Sequence, residues 1–383
     1  MDNRRYYELD WLRVILILAV FLHHVFMPFN GDGWHIMNAD SSKLLDDIMV
    51  YFEQLRLPSM FFIAGAGSFL LLKKTKTHSF LMSKFHRLVV PFIVGMILVI
   101  PPQKYYEEPD KYLNLVDAYQ KLWLSFSPHH LWFIEFLIVF MLFAPLLNYL
   151  LKTKAGNTLS DQLANLSRNK HGLFALVLLL ICIRLPLKYV LPSQSHSVDN
   201  LSVSLFYLSL FILGMIFIAR KSLWQALALH RKTNLAWFIT SSILFYAYYF
   251  KPDISDYVSL PMRWQLYWLM CTLVTWSGLL TMMGYASQYA NHRPRWLKTA
   301  NESIYPFYIF HQTVIVALAY YIIQWPEGIA VKSITLLICA FFISALLCVL
   351  IKPLTITRYI FGLNMKSDTQ IEAKKTANLP EHS

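Results

Sequence analysis

The sequence is short of charge, glycine and cysteine. Only 15% of its 383 residues are charged, whereas a soluble domain carries about 25%. With 12 glycines and four cysteines, the chain is neither collagen-like nor a disulfide-rich secreted module. Because 56% of the residues are hydrophobic, an intrinsically disordered chain is excluded as well.

The cysteines are scattered in apolar segments, at Cys182, Cys271, Cys339 and Cys348. No pair has the CxxC spacing of a zinc or redox site, so we expect buried thiols and no bound metal. The sequence also lacks a Walker A loop, a GxGxxG turn, HExxH and GxSxG. A phosphate-binding loop, a zinc protease and a serine hydrolase are therefore not indicated.

Long apolar runs and aromatic residues are what the sequence has in abundance. Aromatics reach 16% and the mean hydropathy is +0.44. A helix that crosses a membrane needs roughly 20 mostly apolar residues, so we predict an all-α, polytopic membrane bundle of about ten helices. The predicted spans lie at about 11–29, 48–72, 88–101, 131–151, 173–191, 201–219, 235–250, 264–288, 303–324 and 330–351.

Basic residues concentrate in alternate loops, which predicts the orientation of the bundle. The loops at 30–47 and 101–129 are acidic, and the segment 73–87 is strongly basic. Basic loops stay on the cytoplasmic side, so both termini are expected in the cytoplasm and the chain in a cell (inner) membrane. The net charge of +12 then needs no nucleic acid partner. We expect a transmembrane domain at 1–363 and a disordered cytoplasmic tail at 364–383.

The first predicted span contains ionisable residues, which are costly inside a membrane. Arg13 and His24 are eleven residues apart, so they share one helix face and are separated by roughly 16 Å along the axis. A guanidinium near the inner surface suits a phosphate or carboxylate, and a deep histidine suits general base catalysis. Alternatively, Arg13 pairs only with Asp10, and His24 only hydrogen-bonds a neighbouring helix.

Lys84 and Arg87 stand out within the basic segment that precedes the third span. They are three residues apart, so both cations face one ligand if a helix begins here. Such a pair suits the phosphates of a nucleotide-bearing cofactor. The alternative is that the whole segment is only an orientation signal.

Further polar or aromatic residues lie in apolar surroundings. Arg56 is expected to face an outer substrate or to pair with an acid. Glu135 is interpreted as orienting a histidine, neutralising Arg56 or forming a structural ion pair. His311 is expected at mid-membrane, and His23 and Trp132 complete the predicted substrate-binding set.

Taken together, these residues resemble the membrane acyltransferase 3 family, and within it the glucan-biosynthesis branch. The resemblance covers nearly the whole chain, with Ala64 at a position where the family has serine. The matching motifs are Arg-x10-His at Arg13–His24, Arg-hydrophobic-Phe-Phe-x-x-Ser-Gly at Arg56–Gly65, Arg-x-x-Arg at Lys84–Arg87, His-Leu-Trp-Phe at His130–Phe133 and Tyr-x-x-His at Tyr308–His311.

The resemblance implies an O-acyltransferase. Such an enzyme moves an acetyl or succinyl group from cytoplasmic acyl-CoA to a hydroxyl of a carbohydrate or glycan at the outer face. His24 would be the base or a transient acyl carrier. From the residues and the resemblance together, we expect Arg13, Lys84 and Arg87 to bind acyl-CoA, and Arg13 and Glu135 to join His24 in the catalytic set, with Glu135 orienting a histidine. Acceptor binding is expected of Arg56, His311, His23 and Trp132.

Two other classes of function fit the residues alone. Buried ionisable groups in a bundle of this size are also typical of a proton-coupled transporter or flippase. A structural membrane subunit is the third possibility, although it does not explain why Arg13 and His24 share one helix face.

Overall fold

The computed structural model describes residues 5–123, 127–193 and 195–363. All regular secondary structure in these ranges is helical, and they contain no β-strand. The predicted tail at 364–383 lies outside them. The helices are α1 (Tyr7–Asn30), α2 (Lys43–Leu72), α3 (Thr77–Lys84), α4 (Val90–Leu98), α5 (Ile100–Glu107), α6 (Leu115–Leu122), α7 (Trp132–Lys152), α8 (Lys154–Leu166), α9 (Gly172–Ala175), α10 (Val177–Val190), α11 (Leu201–Ala219), α12 (Lys221–Leu229), α13 (Arg231–Tyr249), α14 (Leu260–Tyr289), α15 (Arg295–Ile322), α16 (Ile329–Leu350) and α17 (Thr355–Ile360).

Eight helical segments of the described chain are long and apolar enough to cross a membrane. They coincide with eight of the ten predicted spans, which identifies a multi-pass membrane protein. The other two, predicted at 235–250 and 303–324, are helical as α13 and α15 but do not reach the same apolarity. In α15 the polar residues His311 and Gln312 lower the apolarity, and both are buried in the protein interior.

The third span is longer than predicted and irregular. It runs over Thr77–Glu107, whereas the sequence predicted 88–101. Between α3 and α4 the residues Phe85–Val89 form a π-helical turn, in which the amide of Val90 donates to the carbonyl of Phe85. A π turn holds an extra residue and often marks a functional site. Here it begins directly after Lys84.

Two glycines allow α2 and α11 to pack with their backbones in contact. A Cβ atom on Gly65 would lie 1.9 Å from the carbonyl oxygen of Phe211. A Cβ atom on Gly214 would lie 1.9 Å from the carbonyl oxygen of Phe62. Small residues permit this close approach in membrane bundles. The small residues that follow Arg56 therefore serve the packing of α2 against α11.

Replacement of Gly65 by alanine is expected to destabilise the bundle. The new methyl group collides with backbone rather than with a flexible side chain, so α2 and α11 must separate, at a cost of about 2 kcal/mol or more. The thermal unfolding midpoint of the purified protein should fall by about 2 °C or more. Gly328→Ala is the matched control, because nothing lies within 4 Å of its Cβ position. Equal midpoints for the two variants would contradict this packing.

The first helix is held against α2, α14, α15 and α16. Near its N-terminus the buried Glu8 accepts a hydrogen bond from the indole nitrogen of Trp224 at 3.1 Å. Farther along, the buried ring of Phe21 packs edge-on against Phe307 of α15, with ring centroids 5.4 Å apart. These contacts fix both the depth and the rotation of α1, and they turn His24 toward α15.

Candidate active site

A cavity of about 580 Å³ opens at the end of the bundle that the charge pattern predicts to face the cytoplasm. We call it the inner cavity. Arg13, Lys84 and Arg87 all line it, so the structure brings together the three cations that the sequence singled out. Its remaining charged lining is mixed in sign and comprises Arg5, Asp10, Lys298 and Glu302.

Arg13 is both paired and available to the inner cavity. Its Nη1 lies 3.4 Å from a carboxylate oxygen of Asp10, as the i, i+3 spacing predicted. Its Nη2 lies against Gly67 of α2, where a Cβ atom would be only 2.6 Å away. Gly67 therefore makes the space in which this guanidinium lies.

Lys84 and Arg87 face the inner cavity without a close acid. Within the described ranges no carboxylate lies within 4 Å of either side chain. The ammonium of Lys84 lies over the ring of Phe80, 5.5 Å from its centroid. Glu302 lines the same cavity and is an electrostatic neighbour of Arg87, but neither cation forms an ion pair within the described ranges. Two cations without an ion pair at a cavity wall favour an anionic ligand.

A second cavity, of about 220 Å³, lies toward the predicted outer side. We call it the outer cavity. His23, His24, Arg56 and Trp132 line it, so four of the residues predicted for catalysis or substrate binding are placed together. The sequence did not predict its other polar lining residues, which include Asp32, Asp46, Glu53, His130, His196 and Tyr308.

The orientation of His24 is set by His311. The Nδ1 of His24 lies 2.8 Å from the Nε2 of His311, and the Nδ1 of His311 lies 2.7 Å from the carbonyl oxygen of Tyr308. A carbonyl oxygen only accepts, so His311 donates through Nδ1. When both rings are neutral, its Nε2 must accept from His24. His24 then keeps a lone pair on Nε2, as a general base requires.

Tyr308 lines both cavities. Its hydroxyl donates a hydrogen bond to the carbonyl oxygen of His130, at the start of α7. The Nε2 of His130 donates in turn to the carbonyl oxygen of Ile309, at 3.0 Å. These two bonds join α15 to the segment at the start of α7 and hold Tyr308 in place. Because Tyr308 is a wall residue of both the inner and the outer cavity, we call it the partition between the two cavities.

Arg56 is a buried cation in the wall of the outer cavity. It is 5% exposed, and its Nε has no hydrogen-bond partner. No described carboxylate lies within 4 Å of it, although Glu53 is an electrostatic neighbour. Of the two roles predicted for Arg56, the geometry favours facing a substrate over pairing with an acid.

Glu135 lies apart from this arrangement. It is partly exposed on α7, and it lines neither cavity. Its recorded electrostatic neighbour is Asp199, not a histidine or Arg56. The ring of His24 is oriented by His311 instead, because α15 rather than α7 packs against that face of α1.

His196 is a component of the outer cavity that the sequence did not reveal. It belongs to the loop between α10 and α11 and stacks on Trp132, with ring centroids 4.4 Å apart. Burial, together with the nearby cations of Arg56 and Lys188, lowers the pKa of His196 to about 4. The ring is therefore neutral at pH 7 and offers an uncharged face beside Trp132.

The profile of a family described as an acyltransferase domain matches residues 6–352. The chain belongs to this family. The resemblance found in the sequence motifs is thus confirmed, and it places the chain among acyltransferase enzymes.

Proteins named glucans biosynthesis protein C are among the relatives. The protein of Escherichia coli strain K12 is 26% identical over 229 residues, which cover 55% of this chain and 57% of the relative. That of strain O6:K15:H31 is 25% identical over the same shares. The match thus spans little more than half the length of these relatives. No solved structure gives a significant match.

Proposed function

We propose that this protein is an integral membrane O-acyltransferase. It takes an acetyl or succinyl group from acyl-CoA in the inner cavity and delivers it to a hydroxyl of a carbohydrate or glycan in the outer cavity. The observation that carries the proposal is the meeting of the two cavities at Tyr308. One of them presents a group of cations, and the other presents an oriented histidine.

The inner cavity suits the polar part of acyl-CoA. Lys84 and Arg87 face it without forming an ion pair in the described ranges. Arg13, which belongs to α1, lines the same cavity. Arginine and lysine bind phosphate through charge-assisted hydrogen bonds. With the phosphates held there, the pantetheine arm extends toward Tyr308 and brings the thioester to the partition.

His24 carries the chemistry in this proposal. Its Nε2 takes the proton from the acceptor hydroxyl, whose oxygen attacks the thioester carbonyl. The new C–O bond forms as the C–S bond breaks, and the CoA thiolate leaves with the proton that His24 returns. Transient transfer of the acyl group to His24 is the second route, in which the same nitrogen acts as nucleophile. His311 holds the ring in the required tautomer.

Arg56 is proposed to stabilise negative charge in the outer cavity. A buried guanidinium with a free Nε suits the oxyanion that develops on the carbonyl, or the free carboxylate of a succinyl group. Trp132 and His23 complete the wall on which the acceptor lies.

The proposed topology has ten membrane spans, with both termini in the cytoplasm. It counts α13 and α15 as spans, since α15 places Tyr308 in the walls of both cavities and His311 against His24 of α1. The alternation of basic and acidic loops supports this arrangement. A cell (inner) membrane is the proposed location.

Replacement of Gly67 by alanine is expected to weaken acyl-CoA binding by roughly tenfold. The methyl group takes the space of the Arg13 guanidinium, and one charge-assisted contact is worth about 1.5–3 kcal/mol. Stability should change little, because the atom displaced ends a flexible side chain. In an Arg13→Ala background the same substitution should have no further effect on affinity. An additive loss in the double variant would show that Gly67 acts elsewhere.

The direct test uses the purified protein, acyl-CoA labelled in the acyl group and a glucan oligosaccharide. The proposal predicts CoA release and label on the saccharide, with neither in the His24→Ala variant. If label stays on CoA while the protein moves saccharide or lipid across vesicles, the transporter or flippase alternative is correct. If neither happens, the structural-subunit alternative is favoured.

A further inference from the structure

A third cavity, of about 480 Å³, lies next to the outer cavity and is larger than it. We call it the vestibule. The two share Asp32, Val50, Glu53 and His196 in their walls, so a ligand in the vestibule reaches toward His24. None of the site residues that the sequence predicted lines the vestibule.

Aromatic rings form much of its wall. Trp264, Tyr267 and Trp268 come from the first turns of α14, and Tyr248 and Tyr249 come from the end of α13. Flat apolar faces interleaved with polar groups suit ligands that are themselves amphipathic, such as sugar rings with their C–H faces and hydroxyl edges.

Arg184 is a buried cation in the wall of the vestibule. It is 8% exposed, and its guanidinium lies between the rings of Phe206 and Trp268, 4.2 and 4.6 Å from their centroids. Its Nη1 donates to the hydroxyl of Thr272 at 3.3 Å. The rings hold the guanidinium in place without neutralising its charge.

Lys188 lies one helical turn beyond Arg184 and faces the same cavity. It is 5% exposed, its Nζ donates to the carbonyl oxygen of Ser193 at 2.6 Å, and it lies 4.6 Å from the ring centroid of Trp268. Trp268 thus lies beside both cations. Two like charges on adjacent turns repel each other, so their burial together is costly unless an anion binds between them.

The charges around the vestibule do not supply that anion. Arg263 pairs with Asp253 at 3.7 Å, and Lys251 lies over the ring of Tyr248. Asp32 and Glu53 line the side nearer the outer cavity, and Glu53 is an electrostatic neighbour of Arg184 without forming an ion pair with it. Within the described ranges no carboxylate lies within 4 Å of Arg184 or Lys188.

We propose that the vestibule binds an acidic saccharide, with a carboxylate or phosphate held between Arg184 and Lys188 and the sugar rings lying on the aromatic wall. The acidic group comes from a soluble glycan or from the phosphate of a lipid-linked saccharide. That this ligand is the acyl acceptor rests on the proposed function. The binding itself does not.

The test measures binding without catalysis, by calorimetry on the protein in nanodiscs. The probes are a β-linked glucose trisaccharide, the same trisaccharide with a terminal glucuronate, and a polyprenyl-phosphate-linked disaccharide embedded in the nanodisc. We expect the glucuronate probe to bind at least tenfold more tightly than the neutral one. Arg184→Gln and Lys188→Gln should each remove most of that preference, and Lys188→Arg should retain it.

Lys111→Gln is the matched control, since this exposed lysine lies on the same predicted side but outside the vestibule. It should leave the preference within twofold. Binding of the lipid-linked probe alone, with the same sensitivity to Lys188→Gln, would assign the anion to the lipid carrier. Equal binding of neutral and acidic probes, or equal losses in Lys111→Gln and Lys188→Gln, would overturn the proposal. Selective binding without acyl transfer to any probe would refute the proposed function and leave this site standing.

Discussion

Replacement of His24 by alanine is expected to lower the rate of acyl transfer by about 10²–10⁴-fold, the range that a positioned general base contributes. His24 lines the outer cavity, and its Nδ1 is bound to His311, so Nε2 is the only ring nitrogen left to accept a proton. The measurement is a steady-state rate with labelled acyl-CoA and saturating saccharide. Acyl-CoA affinity should stay within about twofold, because the inner cavity is untouched.

His78→Ala is the control for this substitution. His78 is exposed on α3 and lines neither the inner nor the outer cavity, so its removal should leave the rate unchanged. A His24→Ala enzyme with more than a tenth of the normal rate, at normal protein level in the membrane, would exclude His24 as base or acyl carrier.

The double substitution Lys84→Gln, Arg87→Gln is expected to weaken acyl-CoA binding by about 10²–10⁴-fold. Each lost charge-assisted contact is worth about 1.5–3 kcal/mol, and both side chains line the inner cavity without a close acid. The wild-type affinity should also fall as salt rises, and this dependence should be weaker in the variant because fewer charges remain to be screened. Titration of acyl-CoA at low and high salt measures both effects.

Lys73→Gln, Lys74→Gln is the matched control for that pair. Both lysines are exposed in the same basic segment and line neither cavity, so the variant has the same charge change without the proposed contacts. Its acyl-CoA affinity should stay near that of the unmodified protein. Similar losses in both double variants would mean that the segment acts through its overall charge, as an orientation signal does.

Much of the fold follows from the sequence because bilayer thickness and apolar runs determine each helix separately. The pairing of Arg13 with Asp10, and the placement of Arg13 and His24 on one helix face, needed only helical geometry. α13 and α15 were found as helices, although their polar residues make them less apolar than the other spans. The third span was predicted, but its π turn was not, because a π turn has no distinct sequence pattern.

Contacts between distant helices explain most of what the sequence did not predict at the site. His24 and His311 are 287 residues apart, and no spacing rule shows that α1 packs on α15. Without that contact, the sequence offered Glu135 rather than His311 as the residue that orients a histidine. Tyr308 was within reach of prediction, since it precedes His311 by one helical turn. His196 could not be predicted, because it lies in a loop, where no helical spacing shows which residues come together.

In the proposed mechanism, one helical bundle connects an acyl donor in the inner cavity with an acceptor in the outer cavity, and Tyr308 lies in the walls of both. The most direct measurement uses sealed inverted membrane vesicles, with labelled acyl-CoA added outside and a saccharide trapped inside. We expect label to reach the trapped saccharide and the His24→Ala substitution to prevent this transfer. Label found only on saccharide added to the outside, or on none, would contradict it.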